Sequence, residues 1–306
     1  MVPSDAPNVV VVGSINMDLV ARTDHVPAPG ETVLGSDFQT IPGGKGANQA
    51  VAAARLGARC AMVGRVGDDA FGQRLVVGLQ ADGIDTCHVA STPETASGVA
   101  LIVVAGSGEN AICVASGANF AVTPADINAA EDAIAEAAVC LLQLELPVAT
   151  VIHAIRVCRR HAVETILDPA PAPAGPPDDL FRVDVLSPNE TEAETLLGVA
   201  GGSLEPEATA QALAQRGAND VVLKLGVRGA AVLSDGRFEL LAGHPVEAVD
   251  TTAAGDAFTA GLAVARARGL PLVEAVQYAN AAGALACTQF GAQPSMPTAG
   301  QVEAMR

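Results

Sequence analysis

Tryptophan is absent from these 306 residues, tyrosine occurs once, and aromatic side chains make up 3% of the chain. Stacking platforms for bases therefore have almost nothing to be built from. Cations are scarce too: 17 Lys and Arg stand against 34 Asp and Glu, a formal net charge of −17. Phosphate contacts need clustered Lys and Arg, so no nucleic-acid partner is expected. An anionic ligand would have to be gripped by local donors or a metal, against the field of the whole chain. No apolar run approaches the roughly 20 residues of a membrane span, so no membrane partner is expected. The start "MVPSDAPNVVVVGSINMDLV" has no basic opening, and its four valines before Gly13 read as a first strand rather than a secretory leader. The six cysteines, Cys60, Cys87, Cys113, Cys140, Cys158 and Cys287, form no CxxC pair. Buried free thiols in a reducing cytoplasm are the expectation.

What is present is short apolar runs alternating with Ala-rich helical stretches. Val9–Val12, Cys60–Val63, Cys140–Leu144, Thr165–Leu167, Val183–Leu186, Val221–Lys224 and Ala230–Leu233 read as strands. Ala47–Leu56, Gly72–Ala81 and Ala149–His161 read as helices between them. Near-continuous apolar strands alternating with helices predict an α/β fold: a doubly wound, mostly parallel sheet with helices on both faces. Such sheets bind ligands at the carboxyl ends of their strands. Residues 15–40 and 97–116 carry strand signals without helices. There "VALIVV", "AGSGEN" and "AICVA" predict a hairpin with a Gly-rich loop. Every position of Val99–Val104 is apolar, so both faces should be covered. These two segments are therefore expected to form a small β lid, one side over a cleft and the other against a second subunit. The α/β domain takes 1–14, 41–96 and 117–306. The Pro-rich stretch 168–179 is expected to be a surface loop.

Five stretches carry candidate chemistry. In "DTTAAGDAFTAG" (250–261), small residues Ala253, Ala254 and Gly255 precede an apolar helix with Asp256 in its first turn. The plain reading is an acid complementing the helix dipole, worth about 0.3–1 kcal/mol. The other is an anion hole of free backbone amides beside a base, as phosphoryl transfer to an alcohol requires. "PGGKGANQAVAAARLG" (42–57) fails both the P-loop pattern and GxGxxG, because Lys45 precedes Gly46 and Gln49 stands where a third Gly should be. What remains there is a helix start projecting Lys45 and Asn48, or a simple Gly turn. "GSINMDLV" (13–20) puts Asn16 and Asp18 after the first strand, either a fork for neighbouring hydroxyls or a polar strand exit. In "SPNETEAE" (187–194), Ser187, Pro188 and Glu190 read as a capping box, leaving Asn189 and Glu192 to face a Mg-bound nucleotide. "LKLGVRGA" (223–230) is a strand entering a Gly turn, suited to a nucleotide backbone or to a plain hairpin.

In their order, "GSINMD", "GGKGANQA", "LQLELP", "DPAPA", "SPNETEAE", "LKLGVRG", "DTTAAGDAF" and "GAQPS" closely resemble the ribokinase family of sugar kinases from about Val9 to Pro297. The resemblance implies ATP-dependent phosphorylation of the 5-hydroxyl of ribose. Deoxyribose, another pentose, fructose or a nucleoside are alternative acceptors, and a non-catalytic sugar or nucleotide binder is the remoter rival. By matched position it implies Asp256 as base and an anion hole at Ala253–Gly255. Asn16, Asp18, Gly44, Lys45, Asn48 and Glu145 would hold the sugar with Asp256. Asn189, Glu192, Lys224, Gly226, Arg228, Gly229, Gly255 and Asn280 would line the site for ATP and its Mg²⁺. An activating K⁺ would sit at Asp250, Thr252, Ala286, Gln289, Gly291 and Ser295. The apolar lid strand adds the expectation of a homodimer through the lid, and the cysteine pattern that of a cytoplasmic location. Three positions depart from the pattern: Ala253 where Gly often begins the turn, Lys224 where small hydroxyl residues are common, and Met17 between the two sugar positions.

Overall fold

The computed structural model describes residues 6–199, 202 and 205–306. Among them, nine strands form the main sheet, in spatial order 237–241, 230–234, 220–224, 185–186, 164–167, 139–142, 8–12, 59–67 and 85–92. Neighbours pair in parallel except for the antiparallel meander at the 230–241 edge. The first strand, Asn8–Val12, lies inside the sheet between Val139–Leu142 and Arg59–Gly67. Its four valines are almost wholly buried and divide between two hydrophobic clusters, Val9 and Val11 in one and Val10 and Val12 in the other. That is the period-2 alternation of a strand covered on both faces, each buried valine stabilising by about 1.5–3 kcal/mol.

The chain leaves this strand toward 59–92 on one side, then returns to its other side at Val139–Leu142. A reversal of that kind opens a crevice at the carboxyl ends of the two diverging strands. Gly13 and Ser14 leave one lip, and Gln143 to Glu145 leave the other.

Four strands build a separate sheet in the order 37–43, 16–23, 98–105 and 110–115. Asn16–Thr23 pairs in parallel with Gly98–Ala105, and each has an antiparallel neighbour outside it. Sequence reading ended the second lid strand at residue 40; it runs on to Gly43, because the ladder continues to the Asn16–Gly43 pair. Double coverage of this sheet is not found among the described residues. Leu101, Ile112 and Val114 are about half exposed, and every residue of Asn110–Ala115 faces solvent.

Helix Ala254–Ala267 is buried from Asp256 to Ala265 and packs on Leu272–Ala286 and Lys45–Arg55. Beyond Asp256 the helix is apolar all round, as an interior position demands, and it carries no further charge until Arg266. Two expectations need correcting. Cys87 and Cys113 are exposed, Cys287 is intermediate, and only Cys60, Cys140 and Cys158 are buried. The Pro-rich stretch begins as interior rather than as a surface loop. Asp168 to Ala170 are buried because Asp168 N donates to Leu142 O and Leu144 N to Ala170 O, an extension of the sheet edge. No helix among the described residues is long and apolar enough to cross a membrane.

Candidate active site

The crevice predicted by the strand reversal collects polar groups from distant parts of the chain. Glu145 accepts from Ser14 Oγ and from the Lys45 amide, at 3.2 Å for the latter, which ties the two lips together. Gly44 caps the Lys45–Arg55 helix with φ 89°, and a Cβ there would meet Asn16 N at 2.7 Å. Only glycine satisfies both the backbone sign and the space. The helix thus starts directly beneath the lid strand that carries Asn16 and Asp18. Asn16 Oδ1 accepts from Asn119 Nδ2 at 2.6 Å, and Asn119 Oδ1 accepts from Ile15 N at 2.9 Å, so the entry to that strand is clamped.

Asp256 lies fully inside, at the first turn of its helix. Asn48 Nδ2 donates to its Oδ2 at 2.9 Å, and Gln49 Nε2 donates to its Oδ1 at 3.1 Å. Gln49 Nε2 also reaches Asp168 Oδ2 at 3.1 Å, and Gln143 Nε2 fixes Gln49 by donating to Oε1 at 2.6 Å. Burial pushes the Asp256 carboxyl up to about 6; the Lys45 ammonium opposes the push and Asp168 adds to it. Asp18 is pushed up to about 7 by burial, with Glu145 and Asp256 contributing. Its carboxylate makes no hydrogen bond among the described residues, although it is nearly buried. Lys45 is the counter-charge. Burial works against its ammonium, but Asp256, Asp168, Glu145 and Glu192 together hold it above the ordinary lysine range.

The turn before the helix differs in detail from the expected hole at Ala253–Gly255. Ala254 N donates to Thr251 O at 3.2 Å, whereas the amides of Ala253, Gly255 and Asp256 bond to nothing among the described residues. The expected set thus loses Ala254 and gains Asp256, and the open donors still lie at a helix start, where the dipole favours an anion. Ala253 itself is left-handed, φ 60° and ψ 11°. Alanine pays roughly 1–2 kcal/mol to sit there, which gives a physical reason for glycine to be common at this position.

Other expectations are redistributed. Asn189 is the N-cap of helix Glu190–Leu197 and forms the capping box with Glu192, each bonding the other's backbone N–H at 2.8 and 2.7 Å. The box was expected on Ser187 and Glu190. Instead Ser187 Oγ is buried without a partner among the described residues, and Glu190 pairs with Arg228 at the surface. One Glu192 oxygen stays free, and burial and Asp168 raise its pKa against the lowering pull of Lys224. Gly229 is required by the fold: a Cβ would lie 2.1 Å from Leu241 O. Gly226 begins the exposed turn, and Asn280 Nδ2 donates to Ala242 O at 3.3 Å. Met17 is wholly buried in the core between Asn16 and Asp18. Asp250 receives Thr252 N and Gly291 N, each at 2.9 Å; against the upward push of burial, those bonds hold its carboxyl low. Ala286 and Ser295 are buried near that loop and Gln289 is exposed.

Asp168, Gln49, Gln143 and Lys224 were the residues to find. Sequence reading passed over the first three. Asp168 carried a signal, since it directly follows strand Glu164–Leu167 at the carboxyl edge of the sheet. Gln49 carried a weaker one, a second amide directly after Asn48 in an Ala-rich helix. An open hollow of about 510 Å³ between Arg159, Arg182, Arg216, Asp178 and Asp184 lies at the opposite ends of the strands, away from Asp256 and the open amides.

The pfkB family carbohydrate kinase profile matches residues 6–299. A ribokinase of Bacillus subtilis is 43% identical over 97% of this chain and 98% of its own length. The structure of Arabidopsis thaliana ribokinase complexed with ribose and ATP is 34% identical, superposes with a TM-score of 0.88 and is covered over 98% of both chains. A Thermotoga maritima ribokinase structure gives the same identity and TM-score over 98% of this chain and 99% of that one.

Proposed function

The chain belongs to the pfkB family of carbohydrate kinases, and from that premise we propose that it transfers the terminal phosphoryl group of ATP to the 5-hydroxyl of ribose. One observation carries the reading. A buried carboxylate, Asp256, is held by Asn48 and Gln49 in the same helix turn as the open amides of Ala253 and Gly255. Phosphoryl transfer to an alcohol needs those two groups side by side. The amides stabilise charge on the transferring group, and the carboxylate orients the hydroxyl and takes its proton. The P–O bond to the leaving nucleotide breaks as the sugar oxygen bonds to phosphorus, so the proton leaves late and a modest base suffices.

Asp18, Asn16, Asn48, Lys45 and Glu145 would orient the sugar. The free Asp18 carboxylate and the unpartnered Asn48 Oδ1 are acceptors waiting for hydroxyl donors. Closure of the lid over them would exclude water and favour the sugar hydroxyl as the nucleophile. Asn189, Glu192 and the 224–229 turn would face the nucleotide. The donor set suits Mg²⁺ arriving with ATP, because one free Glu192 oxygen together with phosphate oxygens and waters matches its preference. The ion would screen phosphate charge. Asp250, ionised and tied to Thr252 and Gly291, would organise the loop whose carbonyls receive an activating K⁺. A second copy would cover Leu101, Ile112 and Val114, giving a homodimer. The free thiols, two of them exposed, suit a reducing cytoplasm.

The decisive experiment is a coupled assay with ribose, ATP and Mg²⁺, with and without K⁺, repeated with deoxyribose, other pentoses, fructose and a nucleoside. The highest kcat/KM on ribose is expected. A preference for the nucleoside, or no turnover with any sugar, would overturn the reading. Sedimentation of wild type and Ile112→Asp tests the dimer: a wild-type monomer ends that part.

A further inference from the structure

Lys224 does more than end a strand before the nucleotide turn. Its ammonium sits 2.7 Å from Asp168 Oδ1, with the two side chains only 12% and 2% exposed. It also lies 3.6 Å from the position a Cβ on Gly255 would occupy, over the turn whose amides are open. A lysine has three donors, and Asp168 is its one side-chain partner among the described residues. A buried ion pair with spare donors is poorly compensated unless something else receives them. The carboxylate end of the pair continues inward. Asp168 Oδ2 accepts from Gln49 Nε2, which donates to Asp256 as well, and Thr259 Oγ1 approaches it at 3.4 Å. Lys224, Asp168, Gln49 and Asp256 therefore form one connected path from the anion turn to the base.

Given the kinase reading above, on which this rests, we propose that Lys224 is a catalytic residue that donates to the transferring phosphoryl group. Asp168 is a positioning residue: it aims the ammonium and, through Gln49, fixes the orientation of Asp256 to the same point. Lys224 keeps its protons throughout; the proton of the sugar hydroxyl goes to Asp256. A lysine serves here as a compact point charge, and with three donors it holds Asp168 and a phosphate oxygen together. The ion pair also masks Asp168, which would otherwise oppose the nucleotide as a bare carboxylate.

That masking gives a signature a purely structural ion pair lacks. The full-length protein is compared with Lys224→Met, Asp168→Asn and the double variant, reading kcat, KM for each substrate, the melting temperature, and affinity for ADP and a non-hydrolysable ATP analogue. Lys224→Met should lower kcat about 10²-fold and weaken the ATP analogue about 10-fold, while ADP affinity and the sugar KM stay within about threefold. The double variant should regain about 10-fold in kcat over Lys224→Met, because the unmasked carboxylate is gone. Equal losses of ADP and ATP-analogue affinity, unchanged kcat in Lys224→Met, or a double variant no better than the single one would overturn the proposal. Should Lys224→Met fail to fold, Lys224→Gln carries the same readouts. The two nucleotide affinities need no sugar, so they judge Lys224 even if wild type phosphorylates none of the sugars, an outcome that would instead remove the kinase reading.

Discussion

Asn48 donates to Asp256 Oδ2 at 2.9 Å while its own Oδ1 is buried without a partner among the described residues. One side chain thus orients the base and keeps an acceptor free beside it. The two functions separate by mutation. Asp256→Asn keeps the shape but cannot take a proton, so kcat should fall by about 10²–10⁴-fold with sugar binding nearly unchanged. Asn48→Ala should act mainly on the sugar, raising its KM about 10-fold for the loss of roughly one hydrogen bond. Calorimetric titration with ribose alongside steady-state kinetics distinguishes them. Full turnover in Asp256→Asn would remove the base from the mechanism.

The acidity of the crevice predicts a pH dependence. Asp256, lifted to about 6 by burial, must be ionised to act. The kcat/KM for ribose should therefore rise through about pH 6. Lys45 opposes the lift, so in Lys45→Met the rise should move to higher pH. Asp18, lifted to about 7, gives a stability test with a definite sign. A carboxyl whose pKa is raised by folding binds its proton more tightly in the folded state, so its contribution is present at low pH and lost as pH climbs through 7. Asp18→Asn removes that loss. Its urea midpoint relative to wild type should be more favourable at pH 8 than at pH 5, with sugar affinity impaired at both.

The legible parts of this protein are those whose physics is local. Four valines before Gly13 are enough to indicate a doubly covered strand, and Ala253–Asp256 announce a helix start with an acid in its first turn. The helix cap at 187–192 shows the limit. Ser187 with Glu190 and Asn189 with Glu192 both satisfy the capping spacing, and the choice is made by the sheet: Lys224 N takes Pro188 O, keeping Ser187 and Pro188 extended and starting the helix at Glu190. Asp168 was hidden for a related reason. Its partners are Lys224, Gln49 and Thr259, between 56 and 119 residues away, and a Pro-rich stretch reads as surface until tertiary pairing buries its first residues. The lid's outer face stayed ambiguous because apolar residues on both sides of a strand say that both should be covered, but not by what.

Ala253 offers a test of stored strain. Its φ of 60° suits glycine, while its amide is one of the open donors. Ala253→Gly relieves the left-handed penalty of roughly 1–2 kcal/mol and adds unfolded-chain freedom worth about 0.5–1 kcal/mol. The variant should melt at or slightly above the wild-type temperature and keep its kcat, because the donor survives. Ala253→Val places a β-branched residue in the same conformation and should lose both stability and turnover. Thermal melts with kcat measured on the same samples decide this. A clear drop in melting temperature for Ala253→Gly would mean that the turn is not strained.

Two glycines on the crevice wall should fail in different ways. At Gly46, a Cβ would lie 2.6–2.7 Å from the backbone of Gly13 and Ser14, where the helix start presses on the end of the first strand. Backbone on both sides has nowhere to go, so Gly46→Ala should cost more than about 2 kcal/mol of stability, as overpacked interiors do. At Gly43 the added atom would lie 2.3 Å from Asp18 Oδ2 and 2.6 Å from its Cγ. There the obstacle is a side chain, and one whose carboxylate has no protein partner to hold it among the described residues. Gly43→Ala should therefore fold with a modest loss, turn Asp18 aside, and raise the KM for ribose at least 10-fold while leaving the KM for ATP unchanged. Chemical denaturation and two-substrate kinetics on both variants separate the outcomes. If Gly43→Ala kept its sugar affinity, Asp18 could not be a group that holds the acceptor.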